Sequence, residues 1–318
     1  MTLEIASEHI MRKPWGRTDL RPWSELGHDG SPIGELWFQR ADPTAPEPAL
    51  LLKLLFTDER LSVQVHPDDA LARQVGLPHG KTEAWYVLEA TPNAELALGL
   101  KRNLTASQLR TSIEDGTIPD FVHWQSIAAG QARLVPAGTI HAIGAGLVIA
   151  EIQQRSDATF RMFDYGRARG LHLDGAVAAA HAGPAPLQAS PVRLSDARLV
   201  MATSPYFVLE QVDLAANSRW EINAESETWL LLLGGDAKFD LLGVRSGEAL
   251  FIENQRVGLR AGADGLKCLI AYAASEALPD LLRSRNGEDT DAMIARFPEW
   301  GKEPAFEHSA PRPWSGRS

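Results

Sequence analysis

The sequence predicts an all-β protein with two β-rich halves and little helix. From Ala49 onward, short runs of apolar or alternating residues recur at hairpin spacing, and turns rich in glycine and proline separate them. Helical patterns are few and short. Many short strands joined by such turns are typical of a sandwich or barrel, and they argue against a sheet built from βαβ units.

The first half begins with a weak β pattern and then becomes strongly β. Prolines interrupt residues 1–48, which we expect to be irregular apart from a short strand at Gly34–Arg40. Asp68–Val75 has the pattern of one or two helical turns, and a helical insertion is predicted at Leu104–Gly116. In that insertion Thr105 or Ser107 is the N-cap and Gly116 the stop. Strands are predicted at Leu50–Phe56, Leu61–His66, Ala84–Leu88, Ala132–Val135, Leu147–Gln153 and Thr159–Phe163.

The composition changes between the halves. An alanine-rich piece, Ala176–Ala182, is followed by a proline-rich one, Pro184–Pro191, and we place a domain boundary there. The predicted units are 1–185, 186–275 and a C-terminal tail, 276–318, with helical pieces near Leu278–Arg285 and Thr290–Phe297. Strands of the second unit are predicted at Tyr206–Leu214, Arg219–Ile222, Thr228–Leu233, Ala237–Leu241, Glu248–Ile252, Arg256–Arg260 and Leu266–Tyr272.

Composition excludes several classes of protein. The chain has 318 residues, of which 44% are hydrophobic and 23% charged, as in soluble globular proteins, and no apolar run approaches the roughly 20 residues of a membrane span. A single cysteine, Cys268, and an N-terminus without an apolar signal core favour the cytoplasm. The net charge of −10 argues against nucleic-acid or membrane surfaces, but not against a small anionic substrate. We expect a monomer or homodimer.

Two strand-like runs offer metal ligands. In an extended strand alternate side chains share a face, so Gln64 and His66 point the same way. Lys81 and Glu83 alternate in the same manner in the next run, and His141 opens a later strand after a Pro-Ala-Gly turn. Two imidazoles, a carboxylate and an amide oxygen suit zinc or a similar divalent ion and leave a position open for water or substrate.

Each of these ligands also has an ordinary explanation. A lone histidine in a strand is more often a satisfied structural residue than a ligand, and a lone Glu83 would face solvent. His141, after a glycine turn, is unremarkable if it is exposed. The combination predicts a metal site, whereas no single member does.

A later run, Glu151–Arg161, adds candidates for chemistry. Glu151 can act as an acid or base beside the metal, and the planar fork of Arg161 can bind an anion. The alternative is structural, with Arg161 pairing with Asp157 on the surface or bracing Asp164.

Four motifs, in the same order as in one known family, carry a resemblance. The chain resembles the type I mannose-6-phosphate isomerases, most closely their short bacterial form, from about Trp15 to His172. Its second half resembles them only in β character and length. The motifs are QVHPDD (Gln64–Asp69), KTEAWY (Lys81–Tyr86), PAGTIHAIG (Pro136–Gly144) and EIQQRSDATFRMFDYGR (Glu151–Arg167).

The resemblance implies a fold and a set of site residues. The fold is a pair of cupin-like β-sandwich, or jelly-roll, domains with one zinc site in the first and none in the second. The family's active-site arginine falls on Arg161 and its glutamate on Glu151, and its lysines fall on Lys81 and Lys53. Thr82 stands where the family often has proline, and Arg155 where many members have serine. The family's metal ligands fall on Gln64, His66, Glu83 and His141.

The implied reaction is the reversible interconversion of mannose 6-phosphate and fructose 6-phosphate through a cis-enediol. Arg161 and Lys81 would bind phosphate or stabilise the enediolate, and Glu151 is the first choice for proton transfer. A lysine or a metal-bound water is the alternative proton carrier. Two other functions compete with this one. A cupin ferrous dioxygenase would have no need of the basic residues Lys53, Lys81 and Arg161, and a non-catalytic sugar-phosphate-binding cupin would bind without turnover.

Overall fold

The structure, a computed structural model, describes residues 2–27 and 29–285. Strands dominate this part of the chain, which confirms the predicted all-β class. None of the helices in it has the length and apolar content needed to cross a membrane. The strands of the first half are β1 (Thr2–Ile5), β2 (Ser7–Arg17), β3 (Ile33–Gln39), β4 (Leu50–Thr57), β5 (Val63–Val65), β6 (Glu83–Ala90), β7 (Glu95–Leu100), β8 (Val122–Ser126), β9 (Ala132–Val135), β10 (His141–Ile143), β11 (Leu147–Gln154) and β12 (Phe160–Phe163).

The second half is also built from strands. They are β13 (Val192–Arg193), β14 (Arg198–Thr203), β15 (Val208–Leu214), β16 (Arg219–Ala224), β17 (Thr228–Phe239), β18 (Leu242–Arg245), β19 (Ala249–Glu253), β20 (Gln255–Tyr272) and β21 (Leu282–Ser284). The helices are α1 (Asp69–Gln74), α2 (Ala106–Glu114), α3 (Ile118–Phe121), α4 (Leu173–Ala179) and a 3₁₀ helix (Pro279–Leu281).

Two antiparallel sheets form the sandwich of the first half. The central sheet has the strand order β2-β3-β4-β11-β6-β9, and the outer sheet has the order β12-β5-β10-β7-β8. Their inner faces share one apolar cluster, to which Leu55 and Trp85 of the central sheet and Leu98 and Ile143 of the outer sheet belong. The functional residues described below lie between these two sheets.

The second half packs on the back of the central sheet. Its strands, joined by β1, form a ten-stranded sheet. Leu52 and Leu54 of β4 belong to a cluster with Trp229 and Phe251 of that sheet, whereas Leu55 faces the outer sheet. Every residue of β4 and β11 is therefore buried, because both faces of the central sheet are covered. The second half supports the central sheet from behind.

Short helices cover the far side of the outer sheet. Thr105 caps α2 in a capping box with Gln108, and Gly116 follows the helix with a φ of +77°, as predicted for this insertion. Leu109 and Ile113 of α2 pack with the outward residues of β5. The predicted turns at Asp68–Val75 are confirmed as α1.

Two predictions for the chain ends differ from the structure. Residues 1–48 were expected to be irregular outside Gly34–Arg40, yet they also form β1 and β2. Pro14 is accommodated because β2 is the edge strand of the central sheet and its register shifts there, so no ladder hydrogen bond is lost. Thr2–Ile5 pairs with β19, outside the unit 1–185 to which it was assigned.

The prediction of a helix at Leu278–Arg285 is wrong. Pro279–Leu281 forms a 3₁₀ helix, and Leu282–Ser284 forms β21, which pairs with β16. Pairing with an available sheet edge overrides the local helical pattern. The second predicted helical piece, Thr290–Phe297, lies outside the described residues.

Candidate functional site

A cavity of about 450 Å³ lies between the central and outer sheets, a volume suited to a small-molecule ligand. All of its lining residues fall between residues 12 and 172, so the first half alone builds it. Charged side chains dominate the lining. The basic ones are Arg12, Lys13, Lys53, Lys81, Arg161 and Arg169, and the acidic ones are Glu35, Glu83, Glu151 and Asp157.

Three of the four predicted metal ligands lie together, and one of them, Glu83, lines this cavity. His66 Nε2 is 3.4 Å from Glu83 Oε2, and His141 Nε2 is 3.5 Å from Glu83 Oε1. The ligand atoms of all three residues lie within 4.8 Å of one another. The histidines come from the outer sheet and the glutamate from the central sheet, so face-to-face packing of the sheets creates the cluster.

Hydrogen bonds orient both imidazoles. Carbonyl oxygens can only accept, so Nδ1 of His66 donates to Ala158 O at 2.7 Å and Nδ1 of His141 donates to Thr139 O at 2.8 Å. Burial, aided by the nearby Lys81 cation, lowers the pKa of His66 to about 3, and burial also lowers the pKa of His141. Both rings are therefore neutral, and Nε2 carries the lone pair that metal ligation requires. In this structure Lys81 Nζ donates to His66 Nε2 at 3.2 Å, and Gln64 Nε2 lies 3.2 Å from His141 Nε2.

Gln64 lies next to this cluster. It is paired with His141 across the β5–β10 ladder, and its Nε2 is 3.2 Å from His141 Nε2. Its Oε1 accepts a hydrogen bond from Ser62 Oγ at 2.9 Å. Rotating the Gln64 amide by half a turn exchanges its Oε1 and Nε2 and directs Oε1 toward the His66–Glu83–His141 cluster.

The chemistry of these residues fits a divalent cation. Both oxygens of Glu83 are buried, and Oε2 forms an ion pair with Lys81 Nζ. Burial by itself raises the pKa of Glu83, but the Lys81 ammonium 2.6 Å away outweighs it and holds that pKa well below the usual range. An ionised carboxylate that faces two neutral imidazoles is a donor set suited to a transition metal.

Glu151 lies beside the cluster, between two lysines. Its Oε2 accepts a hydrogen bond from Trp85 Nε1 at 2.9 Å, and its Oε1 is 3.6 Å from Lys81 Nζ and 3.7 Å from Lys53 Nζ. Burial raises the pKa of Glu151, and the Glu83 carboxylate raises it further. Burial lowers the pKa of Lys81, but the carboxylates of Glu151 and Glu83 outweigh burial and raise it, so Lys81 stays charged.

Arg161 has no carboxylate partner among the described residues, and its Nε is buried without a hydrogen bond. It pairs with Gln64 across the β5–β12 ladder, which places it at the cavity wall. Neither structural alternative forms as an ion pair among the described residues. Asp164 pairs with Arg169 at 2.6 Å, and the carboxylates of Asp164 and Asp157 act on Arg161 only as nearby charges, which partly offset the lowering of its pKa by burial. The guanidinium is therefore free to bind an anion.

Several residues of the cavity were not predicted from the sequence. Glu35 bridges two lysines, with 3.2 Å to Lys13 and 3.8 Å to Lys53, and it comes from a region with a weak β pattern. Arg169 and His172 follow the last recognisable motif and reach the cavity through the loop after β12. Their sequence context carried no signal of this position.

Comparison with known proteins gives consistent matches. No family model matches the chain. A mannose-6-phosphate isomerase of Streptococcus mutans is 31% identical over 246 residues, which cover 71% of this chain and 76% of that protein. Mannose-6-phosphate isomerase ManA of Bacillus subtilis is 40% identical over 131 residues, 39% of this chain and 41% of that one.

Solved structures agree with these sequence matches. The crystal structure of the mannose 6-phosphate isomerase of Bacillus subtilis superposes with a TM-score of 0.72 at 25% identity, covering 85% of this chain and 99% of that one. A putative mannosephosphate isomerase of Archaeoglobus fulgidus, 16% identical with a TM-score of 0.68, covers 86% of this chain and 97% of its own and shares the fold. Because the Streptococcus mutans relative exceeds 30% identity over three quarters of its length, this chain belongs to the mannose-6-phosphate isomerase family.

Proposed function

We propose that the chain is an aldose–ketose isomerase that interconverts mannose 6-phosphate and fructose 6-phosphate. The observation that carries the proposal is one cavity lined by three groups: Glu83 of the buried His66–Glu83–His141 cluster, Glu151 with its raised pKa, and Arg161, which forms no ion pair with a described carboxylate. The relative named mannose-6-phosphate isomerase supports mannose 6-phosphate as the aldose, and fructose 6-phosphate is the corresponding ketose.

We propose zinc as the divalent ion of this site. His66 and His141 would bind it through Nε2, Glu83 through its carboxylate and Gln64 through Oε1. When bound, zinc would act as a Lewis acid toward a sugar oxygen.

Glu151 is assigned the proton transfer. It would remove the proton from C2 of the open-chain aldose while O1 gains a proton, which gives the cis-enediol. It would then return the proton to C1 while O2 loses its hydroxyl proton, which yields the ketose. Burial and the Glu83 carboxylate raise the pKa of Glu151, which helps this carboxylate to hold the proton between the two transfers. Lys81 is a poorer base because its pKa is raised and it stays protonated. Its ammonium instead would stabilise the negative charge that develops on the sugar oxygens.

Arg161 and Lys53 are assigned to the substrate's anionic groups. Arg161 offers a planar fork with no carboxylate to compete for it in the part of the chain that the structure describes. Lys53 Nζ lies 4.3 Å from the centre of the Trp37 ring and 3.7 Å from Glu151, so it is held in place at the cavity wall.

Compartment and assembly stay predictions. The single cysteine, Cys268, is buried and suits a reducing cytoplasm. A monomer or homodimer is still expected.

A coupled assay tests the function. Purified protein, with its metal content measured on the same sample, should convert mannose 6-phosphate to fructose 6-phosphate without consuming oxygen. Binding of hexose phosphate without turnover would indicate a non-catalytic cupin, and oxygen uptake with bound iron would indicate a dioxygenase. Either result would refute the proposal.

A further inference from the structure

The wall of the cavity around Arg161 carries two further nitrogen donors, Arg169 and His172. We infer that Arg161, Arg169 and His172 form the subsite for a terminal phosphate monoester, in which Arg169 and His172 contact the phosphate directly. The inference rests on the proposed function, because it assigns residues to the phosphate of the same substrate.

Charge balance around the cavity singles out this wall. Of the six cations that line it, five lie within 3.7 Å of a carboxylate oxygen of a described residue, and Arg161 does not. The carboxylates of Asp164 and Asp157 attract Arg161 without forming an ion pair with it, so an anion that contacts this partly buried guanidinium directly would stabilise it. A phosphate monoester, with a charge of about −1.5 to −2 at neutral pH, supplies that charge.

His172 is held with one nitrogen–hydrogen group free. The backbone N–H of Arg161 donates to His172 Nδ1 at 3.1 Å, and the backbone N–H of His172 donates to the carbonyl oxygen of Arg161 at 2.9 Å. Nδ1 is therefore an acceptor, and the proton of the neutral ring is on Nε2. No described residue accepts a hydrogen bond from Nε2, so this donor is available to a ligand in the cavity.

Arg169 is fixed by Asp164. Its Nε and Nη2 each donate to a carboxylate oxygen of Asp164 at 2.6 Å. Arg167 Nε lies 3.4 Å from the same carboxylate, so the charge of Asp164 is shared between two arginines and the group keeps a net positive charge. After burial, Arg169 is the largest cause that lowers the pKa of Arg161, so the two guanidinium groups act on each other. An anion between like charges relieves their repulsion.

Removing the phosphate contacts of Arg169 or His172 should weaken substrate binding. In Arg169→Gln and His172→Asn we expect the KM for mannose 6-phosphate and the inhibition constant of inorganic phosphate to rise by about 10- to 100-fold, the range for a lost hydrogen bond to a charged group. The kcat value should change far less, because neither residue is assigned to proton transfer. Arg110→Gln, which removes an exposed arginine on α2 that pairs with Asp174, is the matched control and should leave both constants unchanged.

Two variants of His172 separate phosphate contact from local structure. Asparagine keeps an acceptor near the position of Nδ1 and loses the distal donor, whereas glutamine places an N–H near Nε2. Contact with phosphate predicts weaker binding in His172→Asn than in His172→Gln. A purely structural role, through the backbone N–H of Arg161, predicts the opposite order and would overturn the inference.

The companion experiment measures the binding of inorganic phosphate to the metal-loaded protein by calorimetry. The variant Arg169→Lys is included in it because lysine keeps a positive charge opposite the buried Asp164. Weaker phosphate binding in Arg169→Lys and His172→Asn supports the subsite, even if the wild-type protein proves unable to isomerise mannose 6-phosphate. In that case the proposed function fails and the subsite stands. Two results would overturn the subsite: unchanged phosphate binding in both folded variants, or no phosphate binding by the wild-type protein. The isomerase assay tests the proposed function separately.

Discussion

Replacing Glu151 by glutamine keeps the size of the side chain and removes its ability to carry a proton. The glutamine oxygen can still accept the hydrogen bond from Trp85 Nε1, which spans 2.9 Å in the structure. The loss is therefore mainly that of general acid–base catalysis, which contributes about 10²- to 10⁴-fold. We expect kcat for mannose 6-phosphate to fall by this factor, a rise in the barrier of about 3 to 5 kcal/mol.

The assay follows fructose 6-phosphate formation and measures bound metal on the same samples. Glu35→Gln is the control, because Glu35 is also a buried carboxylate beside Lys53, at 3.8 Å, and its loss removes the same charge. It is not assigned to proton transfer, so its kcat should fall less than about tenfold. A metal-loaded Glu151→Gln variant whose kcat stays within about tenfold of wild type would refute the assignment.

The pH profile gives an independent readout of the same group. The carboxylate form of Glu151 is the base, and burial together with Glu83 raises its pKa above the ordinary value of 4.5. As pH falls through this raised pKa, kcat/KM should fall, and the loss should have its midpoint above 4.5. Protonation of His66, with a pKa of about 3, comes later on acidification and does not explain this limb. A midpoint below 4.5 would contradict the reasoning.

Other parts of the molecule give further predictions. Dialysis against a chelator should abolish activity and lower the thermal midpoint, because a metal held by His66, Glu83 and His141 binds only the folded chain. Zinc should restore both, and an unchanged midpoint would count against the metal site. Arg198→Met leaves the buried Glu210 without the arginine that donates to it at 2.7 and 2.8 Å, so urea unfolding should show a loss of about 3 to 5 kcal/mol. Arg245→Met, at an exposed pair, should lose less than about 1 kcal/mol, and equal losses would contradict the burial argument. Burial raises the pKa of Cys268 to about 12, so its thiol should react with a disulfide reagent only after denaturation, and rapid reaction of the native protein would show that the residue is accessible.

Local alternation in the sequence determined the β class and the faces of the site strands. Because the side-chain period of a strand is two residues, Gln64 and His66 had to share a face, and Lys81 and Glu83 another. The cap at Thr105 was equally local, since it depends on residues three apart. The motifs around these residues were also enough to indicate the family.

Tertiary packing decided which groups meet and which charges stay free. Glu83 reaches the two histidines only because the central and outer sheets pack face to face, and the pairing of Thr2–Ile5 with β19 joins segments about 250 residues apart. The sequence left Asp164 as a possible partner of Arg161, and the loop after β12 gives that carboxylate to Arg169 instead. Contacts between distant segments, and the burial that shifts the pKa of Glu151, depend on packing that no local pattern encodes. The candidate ligands could therefore be predicted from the strands, whereas only the fold decided that Arg161 has no ion pair with a described carboxylate.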